Sequence, residues 1–312
     1  MENLSIIGCG TMGHSIALAA AWAGLCVKVS GVNQEDVEKA DKGLRNKLNV
    51  FIENELVNEG EAAEIRSRIL FVTSLSEVVT GATFIIEAVP EILDMKHQLY
   101  RTLEQLVGEN VVIASNTSGF TPTSLAESAA HPERFIVTHF WNPAHLIPLV
   151  EVVKGEQTNQ ETIERAMAFM KEMKKQPIFL QKEIPGFIGN RLQYALFREA
   201  QALLDEGVAA KEDIDAAVTY SIGRRLPITG PLMTADMGGL DVFSAISNYL
   251  FKDLSKADKS GRVLSGLVAE GKLGDKSGEG FYQWDEAASR KINTEREQTL
   301  IYFLKMDQKK NQ

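Results

Sequence analysis

The segment Leu4–Gly13 restricts what this chain can fold into more than any other. A short apolar run, Leu4-Ser5-Ile6-Ile7, passes into Gly8-Cys9-Gly10-Thr11-Met12-Gly13, and an alanine-rich stretch follows. The three glycines stand at GxGxxG spacing between an expected strand and an expected helix. Gly8 permits the tight turn, Gly10 lets backbone approach a pyrophosphate, and Gly13 lets helix and strand pack closely. The opening N–H groups of the helix then face the phosphates. A lone GxGxxG is a weak signal. Its place after a first strand and before a helix makes a dinucleotide site the reading, with Gly8, Gly10, Thr11, Met12 and Gly13 as cofactor contacts.

The pattern continues as strands alternating with helices. Leu4–Gly8, Cys26–Ser30, Ile69–Val72, Thr83–Glu87, Val111–Ala114, Phe135–Thr138, Leu149–Val153 and Ile178–Leu180 read as strands. Helices are expected at Met12–Gly24, Met95–Val107 and Glu161–Met173, and a long amphipathic one follows the second strand. That helix has Val37, Ala40, Leu44, Leu48, Phe51, Ile52 and Leu56 on one face. Such alternation implies a parallel sheet covered on both faces. After Pro185-Gly186 the pattern changes to helices: Ile188–Glu206, Lys211–Ser221, Gly239–Leu254 and Arg290–Met306. The expected fold is an α/β Rossmann-type domain over residues 1–184 followed by an all-α domain over 185–312. Two domains also suit a chain of 312 residues.

Composition narrows the function classes. A net charge of −9 argues against nucleic acid as a partner. No stretch approaches the roughly 20 apolar residues of a membrane span, and Ile16–Leu25 lacks the basic segment of a signal peptide. Cys9 and Cys26 cannot build a disulfide framework. They read as small core residues of a protein in a reducing compartment, the cytoplasm.

The end of the second strand lacks an expected feature. An NAD site usually carries an acid there for the ribose 2′-hydroxyl. Here Ser30 is followed by Gly31, Val32 and Asn33, while Glu35 and Asp36 lie inside the next helix. The ribose contact falls to Asn33 or to backbone. NAD is the favoured cofactor; NADP stays open because Gly31 holds the usual acidic position and no arginine adjoins it.

Hydride removal from an alcohol carbon requires a base, and histidine suits this near neutral pH. His139 ends a strand beginning Phe135-Ile136-Val137, and strand carboxyl ends are where open α/β sheets place ligands. Glu151, among Leu149, Val150, Val152 and Val153, is a carboxylate in an apolar strand and needs a partner. His139 is the candidate, since a carboxylate fixes the tautomer of a histidine base. Glu151 as a structural ion-pair member, Ser118 and Asn116 as turn formers and Asn190 as a capping group are the alternatives. His145 lies near enough in sequence to touch substrate. Once His139 is the base, no two other histidines pair at helical spacing, and there is no cysteine cluster, so no metal site is inferred.

Five segments together carry a resemblance. They are Ala114-Ser115-Asn116-Thr117-Ser118-Gly119, Thr138-His139-Phe140-Trp141-Asn142-Pro143, Ile147-Pro148-Leu149-Val150-Glu151, Pro185-Gly186-Phe187-Ile188-Gly189-Asn190-Arg191 and Gly278-Glu279-Gly280-Phe281-Tyr282. With the N-terminal glycine turn, in this order and spacing, they resemble the 3-hydroxyacyl-CoA dehydrogenase family over residues 3 to 284. The resemblance implies His139 as general base oriented by Glu151, with Ser118 and Asn190 hydrogen-bonded to the reacting oxygen. It implies Glu91, Lys96, Asn116 and Asn142 as cofactor contacts. It also implies a homodimer formed through the C-terminal domain.

The departures bear on substrate. In animal members the long helix carries a serine and a lysine that contact CoA; Gly43 and Val50 stand there, with Lys42, Arg45 and Lys47 nearby. Ser221-Ile222-Gly223-Arg224-Arg225 holds two arginines where the acyl-CoA enzymes have a glycine-rich segment. The stretch through Asp236-Met237-Gly238-Gly239-Leu240-Asp241, with the helical C-terminal extension, is similar to relatives acting on free hydroxy acids or alcohols, such as L-gulonate 3-dehydrogenase (lambda-crystallin) and the dehydrogenase of pyridoxal-derived pyridine carboxylates. An arginine fork binds carboxylate, so Arg224 or Arg225 is a candidate substrate anchor; pairing at an interface is the alternative. The leading expectation is a short-chain 3-hydroxyacyl-CoA, 3-hydroxybutyryl-CoA-like and belonging to fatty acid metabolism. A free carboxylated alcohol stands second. A catalytically silent, crystallin-like protein is the reading of another class.

Overall fold

The structure is a computed structural model and describes residues 2–310. The strands are β1 (Leu4–Ile7), β2 (Val27–Ser30), β3 (Ile69–Val72), β4 (Phe84–Glu87), β5 (Val112–Ser115), β6 (Phe135–Phe140), β7 (Leu149–Lys154) and β8 (Gln176–Leu180). Between them run α1 (Thr11–Trp22), α2 (Gln34–Glu53), α3 (Glu59–Ser67), α4 (Leu75–Val79), α5 (Leu93–Leu106), α6 (Pro122–Ala126) and α7 (Gln160–Glu172). The helical part comprises α8 (Gly189–Asp205), α9 (Lys211–Ala217), α10 (Gly223–Arg225), α11 (Pro231–Gly238), α12 (Leu240–Leu250), α13 (Arg262–Ala269) and α14 (Glu286–Lys310). One turn of π-helix over Val218–Ile222 joins α9 to α10. The Rossmann-type sheet followed by helices is the architecture read from the sequence.

The sheet order is β3-β2-β1-β4-β5-β6-β7-β8. The chain leaves β1 toward β2 on one side and returns to β4 on the other, so a crevice opens at the carboxyl end of β1, where ligands bind in such sheets. One expectation needs correction: β7 runs antiparallel to β6, while β7 and β8 are parallel. Trp141–Pro148, which joins β6 to β7, is too short for the dozen or so residues of a helical crossover.

α1 is apolar all round because it is covered on every side: Ile16, Ala17, Leu18, Ala20 and Ala21 have no exposed surface. α2 is amphipathic, and Ala40, Leu44, Leu48 and Phe51 form its buried stripe. Asn33 caps it by accepting from the Asp36 N–H at 2.9 Å, with Glu35 and Asp36 placed favourably in its first turn. Cys9 is buried in the core, but Cys26 is exposed, against expectation, because it precedes β2 and faces outward.

The chain divides into two compact units. The first runs through Ile188 and resumes at Arg296; the second is Gly189–Glu295. Residues 185–312 are therefore not one helical domain. From Arg296 onward, α14 belongs to the first unit, where Ile301 is 3% exposed and Leu300 and Leu304 pack on the same cluster as Leu44 and Phe51. Among the described residues no helix is long and apolar enough to cross a membrane.

Phe51 is fully buried and its ring lies 4.5 Å from that of Trp22, centroid to centroid. Phe51→Ala is expected to cost about 3–5 kcal/mol, read as a lowered urea midpoint at unchanged slope.

Candidate active site

The glycine turn has the geometry that its spacing suggests. Gly8 has φ +102°, and a Cβ there would lie 2.6 Å from the Ala88 carbonyl oxygen. A Cβ on Gly13 would fall 1.7 Å from the Gly8 oxygen, whereas one on Gly10 would meet nothing within 4 Å. Two glycines are thus required by packing, and the third leaves open space over backbone. Gly10 is the N-cap of α1 and brings no side-chain cap, so the opening N–H groups remain available to an anion. This turn fits a dinucleotide pyrophosphate. At the end of β2, a Cβ on Gly31 would approach Cys9 Sγ and Val37 Cγ2, each at 2.9 Å, so the position resists an acidic side chain. Asn33 uses its oxygen as the cap of α2 and can offer a ribose its amide nitrogen.

The antiparallel pairing of β6 and β7 sets His139 directly opposite Glu151. His139 Nδ1 donates to Glu151 Oε2 at 2.8 Å. With the carboxylate as acceptor, the proton sits on Nδ1 and Nε2 keeps a lone pair. Glu151 has no exposed surface; its other oxygen accepts from the Ile188 N–H at 2.8 Å. Trp141 Nε1 reaches Oε2 at 3.4 Å. The His139 ring lies 5.7 Å from that of Trp141 and 5.5 Å from that of Phe187. The pair is therefore fixed by hydrogen bonds on one side and by aromatic contacts on the imidazole.

A second buried carboxylate, which the sequence reading missed, organises the ends of β4 and β5. Glu87 accepts from Lys96 Nζ, the Val89 N–H and the Tyr100 hydroxyl, each at 2.7 Å, and from Ser115 Oγ at 2.6 Å. Burial, then the neighbouring Glu87 carboxylate, pushes the Tyr100 phenol well up. The signal was present in Phe84-Ile85-Ile86-Glu87, a carboxylate ending an apolar strand, the pattern that singled out Glu151. Lys96, expected to touch the cofactor, is 1% exposed and also lies 3.2 Å from Glu91. Its ammonium lies between two carboxylates and holds Glu91 in place. Glu91 in turn accepts from the Thr117 hydroxyl and the Ser118 N–H. Ser118 itself is exposed.

Asn116 Oδ1 accepts from the Phe140 N–H at 2.9 Å, so its oxygen ties β5 to the end of β6. Asn142 is exposed within Trp141–Pro148. Asn190, Arg224 and Arg225 belong to the second unit, Asn190 near the start of α8. Arg224 is engaged locally: Nε donates to the Thr219 carbonyl at 3.1 Å and the guanidinium lies 5.3 Å from the Tyr220 ring centre. Arg225 is exposed.

Two other histidines are built into the first unit. His14 Nδ1 donates to the Cys9 carbonyl at 3.1 Å and Nε2 accepts from Lys47 Nζ at 2.9 Å. A Cβ on Gly43 would come 2.9 Å from that same Nε2. His145 is not a surface group near substrate: it is 3% exposed and shares a 2.7 Å hydrogen bond with Ser15 Oγ through Nδ1. Burial, with the Lys47 and Lys175 charges, pulls its imidazole down to about 3.

Known proteins are similar to this chain. The profile of the 3-hydroxyacyl-CoA dehydrogenase NAD-binding domain matches residues 3–184, and that of the C-terminal domain of the same enzymes matches residues 186–284. The chain belongs to the 3-hydroxyacyl-CoA dehydrogenase family. It is an NAD-dependent oxidoreductase of that family, which removes the catalytically silent reading. It is 34% identical over 305 residues to 5-formyl-3-hydroxy-2-methylpyridine 4-carboxylate 5-dehydrogenase of Mesorhizobium japonicum, covering 96% of each chain. A crystal structure of an enzyme of that name, titled an NAD+ dependent dismutase, aligns with TM-score 0.89 at 33% identity over 97% of both chains. The (S)-3-hydroxybutyryl-CoA dehydrogenase of Ralstonia eutropha aligns with TM-score 0.76 at 36% identity, over 92% of this dehydrogenase and 100% of that chain.

The depressed His145 imidazole has a measurable consequence. Between about 3 and the ordinary histidine value the unfolded chain binds the extra proton, so stability falls as pH drops through that window, by at most about 1.4 kcal/mol per pH unit. His145→Gln is expected to flatten the acid limb of stability against pH, measured by urea unfolding from neutral pH downward. An unchanged slope would remove His145 from that limb.

Proposed function

We propose that this dehydrogenase acts on a small, free carboxylated alcohol or its carbonyl partner, with His139 as the acid–base group. The chemistry rests on the 2.8 Å His139–Glu151 bond. In the oxidising direction His139 Nε2 takes the hydroxyl proton of the substrate, and Glu151 stabilises the imidazolium that forms. Bound NAD supplies the hydride acceptor for the carbinol carbon. The turn at Gly8–Gly13 and the N-terminus of α1 hold its pyrophosphate. Thr117 and Lys96 fix Glu91, and with it the loop carrying Ser118, which is assigned to the reacting oxygen.

The free-acid reading takes precedence over the acyl-CoA reading because of the surface of α2. The resemblance puts CoA contacts at Gly43 and Val50. Gly43 abuts the His14 ring, and Val50 packs on the core. Arg45 pairs with Asp41 at 2.8 Å. Lys47 bonds His14 and lies in the field of Glu297, on the returning part of α14. Of the basic groups that could serve a CoA phosphate, Lys47 is engaged within the protein, while Lys42 and Arg45 stay exposed. The pyridine-carboxylate enzyme, aligned over nearly the whole chain, is named for a substrate of this kind. The ribose edge at Gly31–Asn33 carries neither acid nor arginine, so NADP is the second cofactor to assay.

The helical unit carries exposed apolar side chains, among them Leu232 at 84%, Met237 at 75%, Leu240 at 61% and Phe251 at 64%. Apolar surface on this scale marks an interaction site, and the occupant we assign is a second copy of the chain. Light scattering is expected to give twice the monomer mass; a monomer at micromolar concentration refutes the assignment.

His139→Ala should lower kcat by about a hundredfold or more while NADH binding, followed by fluorescence, is retained. Full turnover in that variant removes the base. Turnover of L-gulonate or a pyridine carboxylate alcohol, without oxidation of 3-hydroxybutyryl-CoA, is expected; the reverse result restores the acyl-CoA reading.

A further inference from the structure

His139 and Glu151 lie on adjacent strands, and the chain between them passes through Trp141–Pro148. Two contacts hold that segment. Lys175, which is 8% exposed, donates through Nζ to the carbonyls of Ala144 and Ile147, the latter at 3.2 Å. His145, in the middle of the segment, bonds Ser15 Oγ at 2.7 Å. Ser15 is on α1, the helix whose N-terminus closes the glycine turn. The Phe51 ring lies 5.6 Å from that of His145 and backs this contact.

Burying an ammonium is costly unless it is hydrogen-bonded, and an apolar side chain would fill the same volume at less cost. The lysine nonetheless stands there, with both of its carbonyl partners in one short segment. Without it, those two carbonyls would lose a charge-assisted donor. We propose that Lys175, His145 and Ser15 are positioning residues that clamp the β6–β7 connection to α1. They fix the spacing of the His139–Glu151 pair relative to the cofactor turn. The inference rests on His139 being the acid–base group. A cavity of about 500 Å³ adjoins Lys175 and His145, with Trp22 and Leu304 among its walls. It gives a longer cationic side chain room to reach the same carbonyls.

The test compares Lys175→Met, Lys175→Arg and Ser15→Ala for kcat, KM for NAD and the low-field proton resonance of the His139 Nδ1–H. Misplacing a catalytic group by about 1 Å can cost about a hundredfold in rate. Lys175→Met and Ser15→Ala are expected to lower kcat by about tenfold or more and to shift the low-field resonance, with a smaller change in KM for NAD. Lys175→Arg is expected to restore most of both. A Lys175→Met protein with wild-type kcat and resonance overturns the proposal, even if its Tm falls, because a merely structural pin moves only Tm. If Lys175→Met does not fold, Ser15→Ala decides by the same two readings. Full activity of His139→Ala would instead refute the base assignment, and the resonance would still report whether the pair responds to Lys175.

Discussion

An imidazole and a carboxylate directly opposite each other on two antiparallel strands set the chemistry available to this fold. Residues facing one another across such a pair point their side chains to the same side of the sheet, close enough to bond. The contact depends on register. A slip of one residue between β6 and β7 would turn one member to the other face of the sheet. Much of the surrounding structure bears on that register: Trp141–Pro148, the Asn116 tie to Phe140, and the Ile188 N–H that fixes the second oxygen of Glu151.

The site also shows how a mixed α/β sheet accommodates buried charge. Glu87 and Glu151 are both without exposed surface, and each ends up with several donors. Glu87 pairs with Lys96 and gathers donors from the loop after β4, from α5 and from β5; Glu151 gathers His139, Trp141 and Ile188. A half-satisfied carboxylate at either place would be unstable. The same bonds that make burial tolerable also immobilise the loops at the carboxyl ends of the strands, where ligands bind. Stability and preorganisation come from one set of contacts.

The readable parts of the sequence were those in which a local pattern has one physical meaning. Glycine spacing between strand and helix announced the turn at Gly8–Gly13, and a carboxylate in an apolar strand announced that Glu151 needs a partner. The direction of β7 was not legible by alternation alone, although the shortness of Trp141–Pro148 contained it. The pairing of Lys96 with Glu87 and Glu91 was not legible, because a lysine near a ligand loop looks the same in sequence whether its ammonium faces out or lies between two carboxylates. The exposure of Cys26 and the burial of His145 were not legible for a similar reason: burial of a single residue depends on what packs over it. The return of α14 depends on long-range packing of Ile301, which periodicity within the helix does not reveal.

That return changes the status of the helical unit. The chain enters it after Ile188 and leaves it before Arg296, so topologically it is an insertion within the nucleotide-binding unit, although most of it follows that unit in sequence. Grafting the helical unit of a relative onto this scaffold is therefore a replacement with two junctions. The second junction falls inside a continuous helix, where the graft must preserve helical phase so that Ile301 still meets its cluster.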